Sequence, residues 1–168
     1  MPKGRNKDTR KNIGAKGGFM ITKILVPTDG SETAWKSVKY AIGLAKQMGS
    51  TITLLAVVDD RFFMAQSIPD EATSTRLIEP VGDYLRQAAE AYLEKASKQC
   101  EKGGIQSKKV IRHGHPAEEI VKEAEKSKAD IIVMGSHGRT ALQAALLGSV
   151  TFGVIHKDTK VPVLVVRK

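Results

Sequence analysis

From residue 20 onward, short apolar runs alternate with longer segments of helical period, and this alternation restricts the chain to few folds. Apolar strands joined by helices that are long enough to cross over run parallel within one sheet. We therefore predict one α/β domain over residues 20–168, an open five-stranded parallel sheet with helices on both faces. The predicted strands cover residues 24–26, 51–58, 105–112, 131–134 and 161–166.

The segments between these strands carry helix signals. Ser31 is placed to cap a first helix that ends at Gly49, and Pro116 suits the first turn of a later one. Residues 59–75 show no clear period, and we interpret them as a long loop or a broken helix. The predicted helices cover residues 31–48, a segment from Leu77 that closes at Gly103, residues 117–128 and residues 149–156.

Length and composition exclude several classes of protein. A chain of 168 residues suits one domain, and its apolar runs fall short of the roughly 20 residues of a membrane helix. Residues 1–19 lack the apolar middle of a signal peptide. The single cysteine, Cys100, cannot form an internal disulfide, which fits a reducing compartment. We predict a cytoplasmic protein in which Cys100 is a half-buried helix residue.

Much of the net charge of +9 belongs to residues 1–19, where six basic residues face only Asp8. This basic leader has little apolar surface, so we expect it to be disordered. It is a solvated tail, a stretch upstream of a true start at Met20, or an arm that binds nucleic acid or another anionic surface. Because no aromatic residue interleaves its charges, a nucleic-acid partner is not expected.

Three strand ends are the places to look for a ligand. In a parallel sheet wound in both directions, the crevice lies at the carboxyl ends of the strands, where the winding reverses. The candidate segments are residues 27–30, 57–60 and 135–138.

Glycines mark the third of these segments. Gly135, Gly138 and Gly148 follow the spacing G-x2-G-x9-G-S, directly after an apolar strand and before a short helix. Such glycines let backbone N–H groups approach an anion, and a helix N-terminus favours phosphate. Arg139 adds a cation, while Ser149 and Thr151 add hydroxyl groups. The glycines could also form tight turns alone, and neither a Walker A loop nor a G-x-G-x-x-G fingerprint is present.

Several blocks resemble the universal stress protein family: Ile24 to Ser31, Asp130 to Gly138, Gly148 to Thr151 and Val161 to Val166. The resemblance covers about residues 21–168 and leaves only the leader outside. The G-x2-G-x9-G-[ST] spacing is typical of the family's ATP-binding branch. The resemblance implies a Rossmann-like fold similar to the adenine nucleotide alpha hydrolases.

The resemblance also implies a site for ATP, or for ADP or AMP, with Mg²⁺ or Mn²⁺ carried by the nucleotide. The first-strand exit would contact adenosine, Val57 the adenine, the fourth-strand exit the ribose, and the glycine loop the phosphates. Arg139 is added to these for its positive charge. The candidate binding residues are therefore Pro27, Thr28, Asp29, Val57, Met134, Gly135, His137, Gly138, Arg139, Gly148, Ser149, Val150 and Thr151. Three of them have plainer alternatives, a helix cap for Asp29, sheet core for Val57 and a hydrogen-bonding or solvated histidine for His137.

The expected function is nucleotide-dependent regulation in the stress response, with at most slow hydrolysis. No carboxylate lies between Gly135 and Thr151 to act as a base, so we assign no catalytic residue. A slow ATPase or self-phosphorylating enzyme is the alternative, and nucleic-acid binding through the leader is another. His113 and His115 have a metal-ligand spacing without an evident third ligand, so we predict no protein metal site.

The last apolar run predicts self-association. Residues 161–166 are almost wholly apolar, and the resemblance places them at a sheet edge. An exposed apolar edge favours pairing with a second copy, and Pro162 guards it only in part. We expect a two-fold homodimer through this strand, with a further protein partner left open.

Overall fold

A computed structural model describes residues 20–59, 71–139 and 147–167, and of residues 71–81 it describes the backbone only. The basic leader and most of the predicted 59–75 loop lie outside the described residues. The described strands are β1 Lys23–Pro27, β2 Thr51–Val58, β3 Ser107–His113, β4 Ile131–Gly135 and β5 Val163–Val166. The described helices are α1 Glu32–Met48, α2 Glu71–Lys102, α3 Pro116–Ser127 and α4 Ser149–His156.

The strands form one parallel sheet in the order β3-β2-β1-β4-β5. From β1 to β3 the chain adds strands toward one edge, and with β4 and β5 it adds them toward the other, so the direction of winding reverses between β1 and β4. This arrangement confirms the predicted open five-stranded sheet. It places β3 and β5 at the two edges.

Alternate side chains of the strands pack into two separate core layers, one on each face of the sheet. Ile24 and Val26 belong to one buried cluster, together with α1 and α2, whereas Leu25 belongs to the cluster beneath α3 and α4. Successive side chains of a strand point to opposite faces, and both faces here are covered, so the central strands β1 and β4 are apolar along most of their length, whereas the edge strand β3 is largely polar. Helices therefore cover both faces of the sheet, as predicted.

The predicted helix ends are confirmed where side-chain chemistry fixed them. The Ser31 hydroxyl accepts a hydrogen bond from the Ala34 backbone N–H at 3.3 Å and caps α1. Gly49 ends that helix with φ of 68°, in the left-handed region that glycine tolerates best. Pro116 occupies the first turn of α3.

Some boundaries differ from the prediction. Helix α2 already begins at Glu71, because extending a nucleated helix costs little and residues 71–75 contain neither glycine nor proline. Strand β3 begins at Ser107 instead of residue 105, since the Ile105 N–H is used by the Cys100 carbonyl at the helix end. Strand β5 begins at Val163, two residues later than predicted. Cys100 is fully buried, not half-buried.

Candidate functional site

A cavity of about 430 Å³ opens at the carboxyl ends of the central strands. It lies where the direction of winding reverses, between the exits of β1 and β4, with β2 on one side. Adjacent strands leave a crevice at this point because their crossover helices go to opposite faces of the sheet. The sequence prediction had pointed to the same three strand exits.

Every residue proposed from the sequence as a ligand contact lines this cavity. Five further described residues line it and were missed: Ala34, Leu55, Pro116, Ile120 and Leu147. Leu55 and Ile120 are almost fully buried, so the sequence marked them only as core. Pro116 was interpreted as a helix start, and a shared wall between α3 and β2 has no local sequence signal.

At Gly138, the Asp29 carboxylate occupies the space that a side chain would need. A Cβ atom built on Gly138 would lie 2.7 Å from Asp29 Oδ2. The same oxygen accepts a hydrogen bond from the Arg139 backbone N–H at 2.9 Å. The fold thus brings a carboxylate against a glycine loop that has no acidic residue of its own.

Asp29 ties two loops together and is not the cap of α1. Its Oδ1 accepts a hydrogen bond from the Ser31 N–H at 3.0 Å, while Oδ2 accepts one from the Arg139 backbone N–H in the glycine loop. The cap of α1 is Ser31 itself. The alternative that Asp29 serves only as a helix cap therefore does not explain its contacts.

The glycine loop and the start of α4 are packed backbone against backbone. The Gly148 N–H donates to the Ser136 carbonyl at 2.7 Å, and a Cβ on Gly148 would lie 3.1 Å from the Cα of His137. The first intrahelical bond of α4 runs from the Phe152 N–H to the Gly148 carbonyl. The N–H groups of residues 149–151 precede that ladder, and such groups at a helix start are suited to an anion.

The hydroxyl of Thr151 is committed to the fold. It donates to the Gly135 carbonyl at 2.9 Å, and Thr151 is only 3% exposed. This bond anchors the first turn of α4 to the exit of β4. Ser149 and Thr151 were the two hydroxyl groups proposed as donors to the ligand. Of these, the exposed Ser149 is the better candidate, because the Thr151 hydroxyl already bonds to the Gly135 carbonyl.

His137 is held by its neighbours on both sides. Its carbonyl accepts a hydrogen bond from the Thr33 hydroxyl on α1, and its Nδ1 lies 3.0 Å from the Ser136 hydroxyl. The first contact ties the His137 backbone to α1, and the second places its ring Nδ1 beside the Ser136 hydroxyl. The residue is half-buried, which fits a hydrogen-bonding histidine better than a solvated one.

The other end of the cavity is apolar. Its described lining there consists of aliphatic side chains from β2, α3 and β4: Leu55, Val57, Pro116, Ile120 and Met134. Val57 packs against the core cluster of α3 and α4 and keeps part of its surface exposed. An aliphatic compartment beside a row of N–H donors suits a ligand with a flat apolar part and an anionic part.

Within the described ranges, no helix combines the length and apolar character needed to cross a membrane. The same ranges contain no cluster of three or more histidine, cysteine or acidic side chains that could hold a metal ion.

The fold and the cavity together define a class, the doubly wound α/β proteins that hold a ligand at the switch point of a parallel sheet. The Universal stress protein family model matches residues 20–167, which is nearly the whole chain. The chain belongs to the universal stress protein family.

Relatives from archaea support this membership. The chain is 39% identical over 152 residues to the universal stress protein MJ0531 of Methanocaldococcus jannaschii, covering 90% of this chain and 85% of the relative. It is 40% identical over 157 residues to MJ0577 of the same organism, covering 89% and 96%. The solved structure of MJ0577 matches with a TM-score of 0.77 at 39% identity, covering 89% of this chain and 98% of that one.

Proposed function

We propose that the cavity binds an adenine nucleotide, ATP above all, and that the protein is a nucleotide-dependent regulator in the stress response. The observation that carries this proposal is the junction of the glycine loop with the start of α4. There the Gly148 N–H bonds to the Ser136 carbonyl at 2.7 Å, so that the helix N-terminus faces the same cavity as Arg139. Triphosphate would lie at this junction.

The apolar compartment would hold the base. An adenine ring buries a large apolar face, and Val57 and Met134 offer aliphatic surface on two strands. Solved universal stress proteins with the same fold are described in complex with cAMP and, from Archaeoglobus fulgidus, with dAMP. Their identities of 22% and 20% carry the fold alone, so the proposal depends on the site of this chain.

The metal ion would arrive with the nucleotide. Asp29 is the acidic side chain among the described lining residues, and each of its oxygens already accepts a backbone N–H. The residues present therefore fit an ion held mainly by phosphate oxygens and water, as Mg²⁺ prefers. The ion would neutralise phosphate charge near the Asp29 carboxylate.

The first test is mass spectrometry of nucleotide released from freshly purified protein, followed by calorimetry of Mg-ATP on stripped protein. We expect an adenine nucleotide to co-purify and ATP to bind. Val57→Trp should fill the base compartment and abolish binding of ATP and of adenosine. The matched control is Gly43→Ala on the outer face of α1, where an added Cβ meets open space. Stripped, folded wild type that binds no adenine nucleotide at millimolar concentration would refute the proposal.

A slow ATPase is the second candidate, favoured by the position of Asp29. The carboxylate lies against Gly138, so the cavity contains an acidic group that the loop sequence lacks. Release of inorganic phosphate that falls in Asp29→Asn, with ATP affinity retained, would establish turnover. Equal rates in the two proteins would remove Asp29 from any turnover, and no release from either would leave a binding protein.

The remaining predictions concern assembly and location. We propose a homodimer through β5 and a cytoplasmic location, for which the buried, free thiol of Cys100 is suited. Nucleic-acid binding by the leader stays a prediction, which deletion of residues 1–19 would test through loss of a salt-sensitive association.

A further inference from the structure

A tyrosine outside the cavity lies against the loop that would hold the phosphates. Tyr92 is a half-buried residue of α2, and its ring centroid is 5.3 Å from Arg139 Cζ. Arg139 lines the cavity, whereas Tyr92 does not. A guanidinium within about 6 Å of an aromatic face is attracted by the ring's quadrupole.

The contact between these two side chains is enclosed by the β1 exit. A Cβ on Gly30 would lie 3.1 Å from Arg139 Nη2 and 3.1 Å from Tyr92 Cβ. Gly30 also has φ of 75°, a conformation that other residues rarely adopt. The missing side chain therefore leaves room for the guanidinium to lie on the ring.

The backbone of Arg139 is fixed as well. Its N–H donates to Asp29 Oδ2 at 2.9 Å, so the residue is held at both ends, by a carboxylate at the main chain and by an aromatic ring at the guanidinium. Arg139 is otherwise exposed, and a free arginine side chain samples many rotamers. Holding it in one place removes an ordering cost that ligand binding would otherwise bear.

We propose that Tyr92 is a positioning residue for the anionic end of the ligand and holds the Arg139 guanidinium beside the glycine loop. This inference depends on the nucleotide-binding function proposed above. Tyr92 touches no part of the ligand and acts through Arg139. Because Tyr92 belongs to α2, the anionic end of the cavity is coupled to a helix that contributes no described lining residue.

The test compares ATP with adenosine in calorimetry. Tyr92→Leu should weaken ATP binding about two- to fivefold, the loss expected for an exposed cation–π contact, and should leave adenosine unchanged. Tyr92→Phe keeps the ring and should retain wild-type affinity. In an Arg139→Ala background, Tyr92→Leu should cause no further loss. Tyr84→Leu is the matched control, since Tyr84 lies on the same helix and is 71% exposed.

A second readout needs no nucleotide. In the wild-type protein, the Arg139 side-chain N–H resonance should carry the upfield ring-current shift of a group above an aromatic face. That shift should persist in Tyr92→Phe and disappear in Tyr92→Leu. If Tyr92→Leu fails to fold, the shift in the wild-type protein alone decides whether the ring lies against the guanidinium.

Three outcomes would overturn the inference. Equal losses for ATP and adenosine in Tyr92→Leu would show a purely structural residue. Unchanged ATP affinity together with an unshifted Arg139 resonance would show that the ring does not hold the guanidinium. Wild type that binds neither ligand would refute the proposed function itself, and this result differs from the other two because ATP binds in both of them.

Discussion

At the scale of single residues, the Asp29 side chain limits which residues position 138 can tolerate. Asp29 Oδ2 lies only 2.7 Å from the position that a Gly138 Cβ would take. Gly138→Ala should therefore displace the carboxylate and lengthen its bond to the Arg139 N–H. We expect a loss of about 1–3 kcal/mol in the free energy of unfolding, the usual cost of forcing extra atoms into a packed place. Urea denaturation measures it.

A double-mutant cycle separates this clash from a general intolerance of alanine. In an Asp29→Ala background the obstructing carboxylate is gone, so the added cost of Gly138→Ala should almost disappear. An unchanged penalty there would contradict this account of the glycine. Circular dichroism spectra of all four proteins serve as the control for the fold.

Asp130 fastens the start of β1 and makes stability depend on pH. Its Oδ2 accepts hydrogen bonds from the Thr22 N–H, the Thr22 hydroxyl and the Lys23 N–H at 2.8, 2.9 and 3.0 Å. Burial raises the pKa of Asp130, but the bonds from Thr22 and Lys23 outweigh it and hold the pKa below its ordinary value. The ionised form is therefore the one that the folded chain prefers.

The sign of the pH effect follows from this lowered pKa. The stabilisation is fully present above the ordinary aspartate pKa of about 3.9 and is lost as pH falls through the lower folded value. Asp130→Asn should cost about 1 kcal/mol in free energy of unfolding at neutral pH, and the difference from wild type should shrink in acid. Urea denaturation at several pH values measures it. A difference that stays constant down to the folded pKa would contradict the assignment.

At the scale of elements, a charge pair joins α3 to the edge strand β3. Glu123 is only 5% exposed at its side chain, and its Oε2 accepts bonds from Arg112 Nε at 2.8 Å and Nη2 at 2.6 Å. Removing Arg112 would leave a buried carboxylate without this partner. The free-energy cost of removing Arg112 is larger than the net stabilisation that the ion pair provides, because Glu123 would stay desolvated without a counter-charge.

Arg112→Ala should therefore lower the free energy of unfolding by about 2 kcal/mol, less than a fully buried pair because Arg112 is partly exposed. Replacing both residues by leucine should come closer to wild type, since no uncompensated charge is left. Chemical denaturation of the three variants measures this order. A double variant that is less stable than Arg112→Ala would show that the pair itself stabilises the edge.

At the scale of the whole molecule, hydrophobic periodicity and the order of the elements were enough to predict the parallel sheet and the position of the cavity. The switch-point rule selected the exits of β1, β2 and β4, and those exits line one cavity. Local patterns could not indicate contacts across the fold. Tyr92 meets Arg139 only because α2 and the glycine loop share the exit of β1, and Ile120 looks like ordinary core until the cavity beside it is seen.

The proposed dimer is a prediction about the exposed edge of the sheet. Strand β5 pairs with β4 on one side, and its four residues are all half-buried. Among the described residues, Leu164 and Val166 pack on the α1–α2 cluster and Val163 on the other, whereas Val165 belongs to neither. Val165 is therefore the apolar side chain best placed for a second copy.

Val165→Lys should give monomers, because a charged ammonium group would have to be buried at an interface between two apolar edges. Light scattering should then report half the wild-type mass, with the fold preserved. Leu164→Lys is a poorer probe, since it would also place a charge in the core cluster. Tyr84→Lys introduces the same charge at an exposed place on α2 and should leave the mass unchanged. A dimer that persists in Val165→Lys would exclude pairing through β5, and wild type that is already monomeric would remove the dimer from the proposal.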